Sequence, residues 1–379
     1  MAASPPDEIS DSHERPAVIV WALAWPAVAL NSLQVINTLL DRFFIGHLAQ
    51  SSFTALGGAL SVTFLTFSVA MSLSTGATAI VARSFGAGNQ EEYREASRQA
   101  FGLAWMSGLV VGGLTVALAG VLSHVMLPAQ DREAVRLMAA YLAAFGLGLP
   151  AIFIIQTLAG SLRGIGDTKS PMVISGIQIL LHIVLNVFCI FPTRTWNGIT
   201  LPGLGLGVVG AATALTISAW VSAIAYSIYC GRTPLGQAAS FHIPAADWTR
   251  RILRIAIPAA TMAVLRVLSL GAFSFMLKFI PNSSVAIATL PVAFGIESIM
   301  FMPSFGLAMA ASALVGQSLG MKNPRRAERL GWIASHHGAL VTLCLSVPIF
   351  IFAPQIGSVL LEGKPELVAE VVRFLRLLC

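Results

Sequence analysis

Long apolar runs constrain this chain more than anything else in it. They extend from Pro16 to Leu40, Phe53 to Val81, Ala100 to Leu127, Leu137 to Leu162, Met172 to Phe191, Gly205 to Cys230, Ile252 to Ile280, Ser284 to Val315 and Ile333 to Phe352, and a further run begins near Val368. About 20 apolar residues cross the ~30 Å of hydrocarbon in a bilayer, so each complete run is long enough to span one. Lipid offers no water to backbone groups, and nothing here alternates like a barrel strand, so the spans are expected to be helices. The fold class is an all-α polytopic membrane protein.

Composition agrees. Hydrophobic residues make up 56% of the chain and charged ones 11%, against about 25% charged in soluble domains. The net charge of +6 comes from short basic clusters between the runs. Membrane topology explains that pattern better than nucleic-acid binding, so no nucleic-acid partner is expected. Residues 1–15 are polar and acidic, unlike the basic start of a signal peptide, which predicts that the first run is retained. With the N-terminus cytoplasmic, the inner segments hold Arg83, Arg94, Arg98, Arg163, Lys169, Arg232, Arg250, Arg251, Arg254, Lys322, Arg325, Arg326 and Arg329. The outer loops hold fewer, among them Arg42, Arg132, Arg136 and Arg194. The four cysteines show no paired spacing and read as small apolar side chains.

The chain also repeats itself. An offset of 234 residues pairs Leu73 with Leu307, Ala77 with Ala311, Val81 with Val315, Ser84 with Ser318, Gly86 with Gly320 and Asn89 with Asn323. At an offset of 232, Pro26-Ala27 matches Pro258-Ala259. An even number of spans separates the copies, so both keep one orientation, as in parallel-repeat transporters. The expected organisation is a cytoplasmic tail (1–15), an amino-terminal six-span lobe (16–230), a cytoplasmic inter-lobe loop (231–248) and a carboxy-terminal lobe (249–379). If the second lobe copies the first, its tenth span should run beyond Cys379 and two more should follow. The second lobe therefore reads as incomplete.

Ionisable groups inside a membrane are costly and usually functional. Asp41, Glu297 and Arg266 qualify, with His182 as a neutral candidate. On the first run Asn31, Gln34, Thr38 and Asp41 recur at helical spacing, and a polar stripe on an apolar helix is expected to face a wet cavity. Pro26, in the middle of that run, removes one backbone hydrogen bond and predicts a bend. A carboxylate in a desolvated cavity favours its neutral form, reached by taking a proton or a sodium ion. The plainer alternative is that Asp41, followed by Arg42, marks the outer water interface. Ser175, Gln178, His182 and Asn186 form a second stripe, open to a cavity or a helix-packing reading. Glu297, between Pro291 and Pro303, is either a structural acid or a second coupling or substrate group, with Arg266 as its possible ion partner.

Other patterns carry less. Arg163-Gly164-Ile165-Gly166-Asp167-Thr168-Lys169 lacks a Walker spacing and reads as a tight cytoplasmic turn. His336-His337 has no partner carboxylates at metal-ligand spacing. No nucleophile–base pair or ligand set appears in the runs, so neither an enzyme nor a cofactor is expected.

Four stretches resemble the multidrug and toxic compound extrusion (MATE) family, nearest its DinF-like branch. They are Leu39 to Gly46; Leu73 to Ala79 continuing to Gly88; Leu162 to Thr168 with Pro171-Met172; and Phe301 to Pro303 with Gly306 through Gln317. The resemblance implies two six-helix lobes and secondary antiport, with H⁺ or Na⁺ influx driving export of organic, often cationic or amphiphilic, compounds. It implies a multi-pass protein of the bacterial inner membrane, expected as a monomer. It assigns Asp41 to the cation site, surrounds it with Tyr141, His182, Asn186 and Thr216, and matches Pro26 to the family's bending proline. Where many relatives carry Asn and Asp four residues apart, this chain has His182 and Asn186. Where the NorM-type branch places a glutamate, it has Arg266. A lipid or lipid-linked-sugar flippase, or an inactive membrane fragment, are the rival expectations.

Overall fold

The computed structural model describes residues 16–378 apart from 47, 129, 197–198, 237, 277–278, 280–282 and 361–364. The proposed tail (1–15) and Cys379 lie outside the described residues. Twelve helices and one hairpin follow in order: α1 (Pro16–Gly46), α2 (Gln50–Gly86), α3 (Gln90–Met126), α4 (Arg132–Gly146), α5 (Leu149–Gly164), α6 (Lys169–Ile190), β1 (Pro192–Trp196), β2 (Ile199–Leu204), α7 (Val208–Cys230), α8 (Ala246–Met276), α9 (Ser283–Gly320), α10 (Pro324–Ile351), α11 (Ala353–Leu360) and α12 (Pro365–Leu378). Among the described residues seven helices are long and apolar enough to cross a membrane, and α4 with α5, bent by 46° at the break between them, meet the same test as a pair. The apolar run at Ile252 to Ile280 falls on α8, and the one begun near Val368 falls on α12.

The bend between α4 and α5 has a local cause. Pro150 stands in the first turn of α5, where it offers no N–H to the turn before it and its ring obstructs the carbonyl four residues back. Gly146 and Gly148 flank the break. A side chain on Gly146 would meet Val116 of α3 at 2.7 Å, so the elbow lies tight on that helix.

The hairpin is a departure from the helical expectation. Its strands pair antiparallel, with Arg194 opposite Leu201 and Trp196 opposite Ile199. It joins α6 to α7 outside the apolar runs, where water satisfies an open strand edge and the demand for helix lapses.

Five helices of the amino-terminal half, α2, α3, α4, α5 and α7, enclose one core that includes Phe101, Met138, Phe145, Phe153, Leu158, Leu162 and Tyr226. α5 is its axis, buried on nearly every face. α2 approaches α5 closely because Gly160 leaves its backbone open: the Ser74 hydroxyl donates to the Gln156 carbonyl at 2.6 Å and the Thr78 hydroxyl to the Gly160 carbonyl at 3.0 Å. Small residues with interhelical hydrogen bonds are what holds helices together in lipid, where apolar burial between helices gives little.

The repeat read in the sequence has a structural content. Asn89 caps α3 by accepting from the Glu92 N–H at 3.1 Å, and Asn323 caps α10 by accepting from the Arg326 N–H at 3.0 Å. Just before each cap the chain turns left-handed, at Gly88 (φ 69°) and at Lys322 (φ 57°), 234 residues apart. The Asn89 N–H then reaches back to the Ser84 carbonyl at 3.1 Å, and the Asn323 N–H to the Ser318 carbonyl at 3.0 Å. This is the six-to-one bond of a Schellman ending. The matched serines and asparagines are thus the fastening of the same helix–turn–helix corner, built twice.

Candidate functional site

Two neighbouring helices supply the polar centre of the amino-terminal half. α1 and α6 pack side by side, and their polar residues meet in rungs. Asn186 Nδ2 donates to Asp41 Oδ1 at 2.6 Å, and one helical turn away His182 Nδ1 lies 3.2 Å from Asn37 Oδ1. Both rungs join residues 145 apart in sequence, the signature of two helices running in step. A diagonal of 4.0 Å links His182 Nδ1 to Asp41 Oδ1. His182 also hydrogen-bonds the backbone of Ala211 on α7.

Three of the four side chains are shut away from solvent: Asn37, His182 and Asn186 are buried, while the Asp41 side chain keeps 29% of its surface. The described residues give Asp41 no lysine or arginine partner; its contacts are an amide and an imidazole. Asn186 Oδ1 is buried with no hydrogen-bond partner among the described residues. The acid is thus held by one neutral donor, the Asn186 amide, with the His182 ring nearby, one edge open and an unpartnered amide oxygen beside it.

Tyr141, on α4, is buried, stacks on Phe145 with ring centroids 6.4 Å apart, and lies within electrostatic reach of Asp41. Thr216, on α7, is half-buried: its hydroxyl donates to the Ala144 carbonyl at 2.8 Å and its side chain packs under Gly148. Together with Trp220, whose indole N–H donates to the Leu147 carbonyl at 3.0 Å, it fastens α7 to the α4–α5 elbow.

The stripe predicted on α1 divides. Gln34 and Thr38 are exposed, and the Thr38 hydroxyl turns back to the Gln34 carbonyl at 3.0 Å. Asn37, which the stripe omitted, joins the ladder. Its signal was present: Asn37 and Asp41 stand four apart on one helix just as His182 and Asn186 do on the other. Pro26 is buried within α1, which continues through it as one helix, and the adjoining backbone of Ala27 and Val28 lies against Gly306 of α9.

The carboxy-terminal half holds a separate pair. Arg266 of α8 donates to Glu297 of α9 at 3.3 Å, and its guanidinium lies 4.2 Å from the ring centroid of Phe301. No group of His, Cys, Asp and Glu suited to a metal occurs among the described residues. The Arg163–Lys169 segment is a turn, with Gly166 at φ 88° and Asp167 Oδ1 accepting from the Ser170 N–H at 3.0 Å.

Spanning helices in two repeat-related halves, with an acid set among neutral partners inside the membrane, define a polytopic secondary transporter. The MatE family model matches residues 26–188 and 258–379, and the chain belongs to that family of multidrug antiporters, not to the enzymes. It is 30% identical over 335 residues to a probable multidrug resistance protein NorM of Thermotoga maritima, covering 87% of this chain and 69% of that one. It is 26% identical to an FAD transporter of Shewanella oneidensis, covering 85% and 69%. A MATE transporter of the MOP superfamily solved in its outward-facing conformation shares the fold, with a TM-score of 0.85 at 23% identity over 95% of this chain and 78% of that one.

Proposed function

We propose that this chain exports small organic compounds, cationic or amphiphilic, across a bacterial inner membrane in exchange for an inward-moving H⁺ or Na⁺ that neutralises Asp41. The observation that carries this is the ladder: a carboxylate whose described partners are neutral and which keeps an open edge. Cation binding at Asp41 releases the Asn186 amide from its 2.6 Å contact and so alters the α1–α6 packing. Coupling needs only that the cation and the substrate favour different states of the same protein.

In this reading the N-terminus is cytoplasmic, the monomer is the working unit, and the halves 16–230 and 249–379 act as lobes joined by 231–248. No cofactor beyond the coupling ion enters. Polar groups of the cavity that would meet substrate are Gln34, Tyr141, Glu297 and Arg266. The likeness to an FAD transporter favours a second substrate class, flat aromatic anions, because Arg266 lies face-on to Phe301.

The test is drug-dependent ion flux in proteoliposomes under an imposed ΔpH or ΔNa⁺. The native chain should exchange drug for one of the two ions, and Asp41→Asn should abolish the exchange. Full coupling retained in Asp41→Asn overturns the assignment. Movement of fluorescent lipid without drug-driven flux points to a flippase.

A further inference from the structure

The connection between α7 and α8 follows α3 inward and back out. Near its start the Pro234 carbonyl accepts from Arg94 Nε at 2.8 Å, and near its end the Ala245 N–H donates to Gln99 Oε1 at 2.8 Å. Between these points it reaches deeper. Phe241 packs edge-on to Phe101 and Trp105, with ring centroids 5.3 and 4.9 Å apart, and a side chain on Gly102 would meet the His242 carbonyl at 2.8 Å. Arg98 is the last charged residue of α3 before its apolar run begins at Ala100. Trp105 therefore stands about 10 Å beyond Arg98, at ~1.5 Å per residue.

At that depth the loop is turned inside out. Ser240 Oγ lies 3.0 Å from His242 Nδ1, which also reaches the Ser240 carbonyl at 2.7 Å, and both side chains are half-buried. Phe241 and Ile243, by contrast, are 68% and 81% exposed. Large apolar side chains turned outward from a loop, with the polar ones turned in, mark a surface that meets an apolar phase. Leu235 and Ala238 are buried in the amino-terminal core, so the loop is held in place and not carried on a free tether. The level above is basic. Arg94, Arg232, Arg250 and Arg254 are exposed and have no ion pair among the described residues, against two exposed acids in the same position, Glu91 and Asp247. The other charges there are matched, Arg98 with Glu95 and Arg251 with Glu92, each at 2.8 Å.

We propose that the segment from Ser240 to Pro244 is a wedge seated in the membrane, with Phe241 and Ile243 at the boundary between headgroups and acyl chains and the free arginines above it binding anionic phospholipid. An interfacial segment buries its apolar side about 5–10 Å deep, the depth at which Phe241 meets Trp105. Basic residues at headgroup level draw anionic lipid. Irregular backbone at membrane depth is tolerated where protein covers it, and α3 covers this stretch at Gly102. Lipid is the occupant that the position selects, because Phe241 leans on the part of α3 long and apolar enough to span a bilayer. In the proposed orientation this is the cytoplasmic leaflet.

The experiment places a cysteine at Ile243 in the full chain, with Cys344→Ser and Cys379→Ser, and labels it with an environment-sensitive fluorophore. The protein is reconstituted in nanodiscs of phosphatidylcholine and phosphatidylglycerol, and the same label on Arg232→Cys is the water-facing control. A nitroxide near the top of the acyl chain should quench the probe at Ile243→Cys more than one near the chain end, and aqueous iodide should quench it several-fold less than the control. Equal iodide quenching at the two positions overturns the wedge. So does shielding that appears in native membranes but not in nanodiscs, the result a protein partner would give. Phosphatidylglycerol retained by the purified protein, read by native mass spectrometry, should fall roughly fivefold in Arg94→Gln and further with Arg232→Gln added, while retained phosphatidylcholine stays level. Retention of phosphatidylglycerol unchanged by both substitutions overturns the anionic-lipid assignment. None of these readouts involves transport, so the wedge and the antiport reading fail separately.

Discussion

The two polar pairs inside this protein are built on opposite principles. Between α1 and α6, Asp41 is held by Asn186 and approached by His182, with no fixed cation among its described partners. Between α8 and α9, Glu297 already has the guanidinium of Arg266 at 3.3 Å, and both side chains are partly exposed, at 27% and 44%. A carboxylate that meets only neutral groups has to take its compensation from a mobile cation when it is desolvated. One that meets an arginine carries its compensation with it. On the antiport proposal, the contrast separates a place where an ion is exchanged from a place where charge is fixed.

Four substitutions sharpen or break this contrast. Asp41→Asn should have the largest effect, reducing drug-driven ion flux to the level of empty liposomes while purification and helicity by circular dichroism stay native. Asn186→Leu removes a hydrogen bond to a charged acceptor worth about 1.5–3 kcal/mol. Because the amide competes with the cation for Asp41, apparent affinity for the coupling ion should rise roughly tenfold, since about 1.4 kcal/mol is a factor of ten. An ion titration of transport reads it, and an unchanged midpoint breaks the ladder's role.

Asn37→Leu should act on stability more than on coupling. It leaves the buried His182 ring without its 3.2 Å contact, at a cost of about 1–3 kcal/mol, visible as a lowered melting temperature in detergent. Arg266→Gln should be the mildest. A part-exposed ion pair contributes within about 1 kcal/mol, so ion coupling should persist, and only the preference between anionic and cationic drugs should shift. Loss of coupling in Arg266→Gln would erase the difference between the two pairs.

Much of this was legible in the residues. The spans follow from hydropathy because lipid admits few alternatives, and the corner from Ser84 to Asn89 repeats at Ser318 to Asn323 because the same Schellman ending and cap were retained. Asp41 and Asn186 stood out as polar groups on apolar helices. Asn37 did not, because the stripe was drawn through Asn31, Gln34, Thr38 and Asp41 with nothing to show which side of α1 faces α6. The bond from Thr216 to the Ala144 carbonyl was hidden for the same reason: a threonine on an apolar helix reads alike whatever its hydroxyl meets. The β1–β2 hairpin lies beyond the runs, where hydropathy has no say.

What the sequence by itself determined is the medium, the helical class and the duplication, since each rests on local composition or on comparison of the chain with itself. What only the tertiary structure decided is which faces meet. The 145-residue step that sets Asn37 on His182 and Asp41 on Asn186, and the 234-residue symmetry that sets Gly86 on Gln317 and Gly320 on Arg83, are products of helix packing. Helical periodicity says which residues share a face, but the rotation and register of one helix against another come from close packing of the whole bundle.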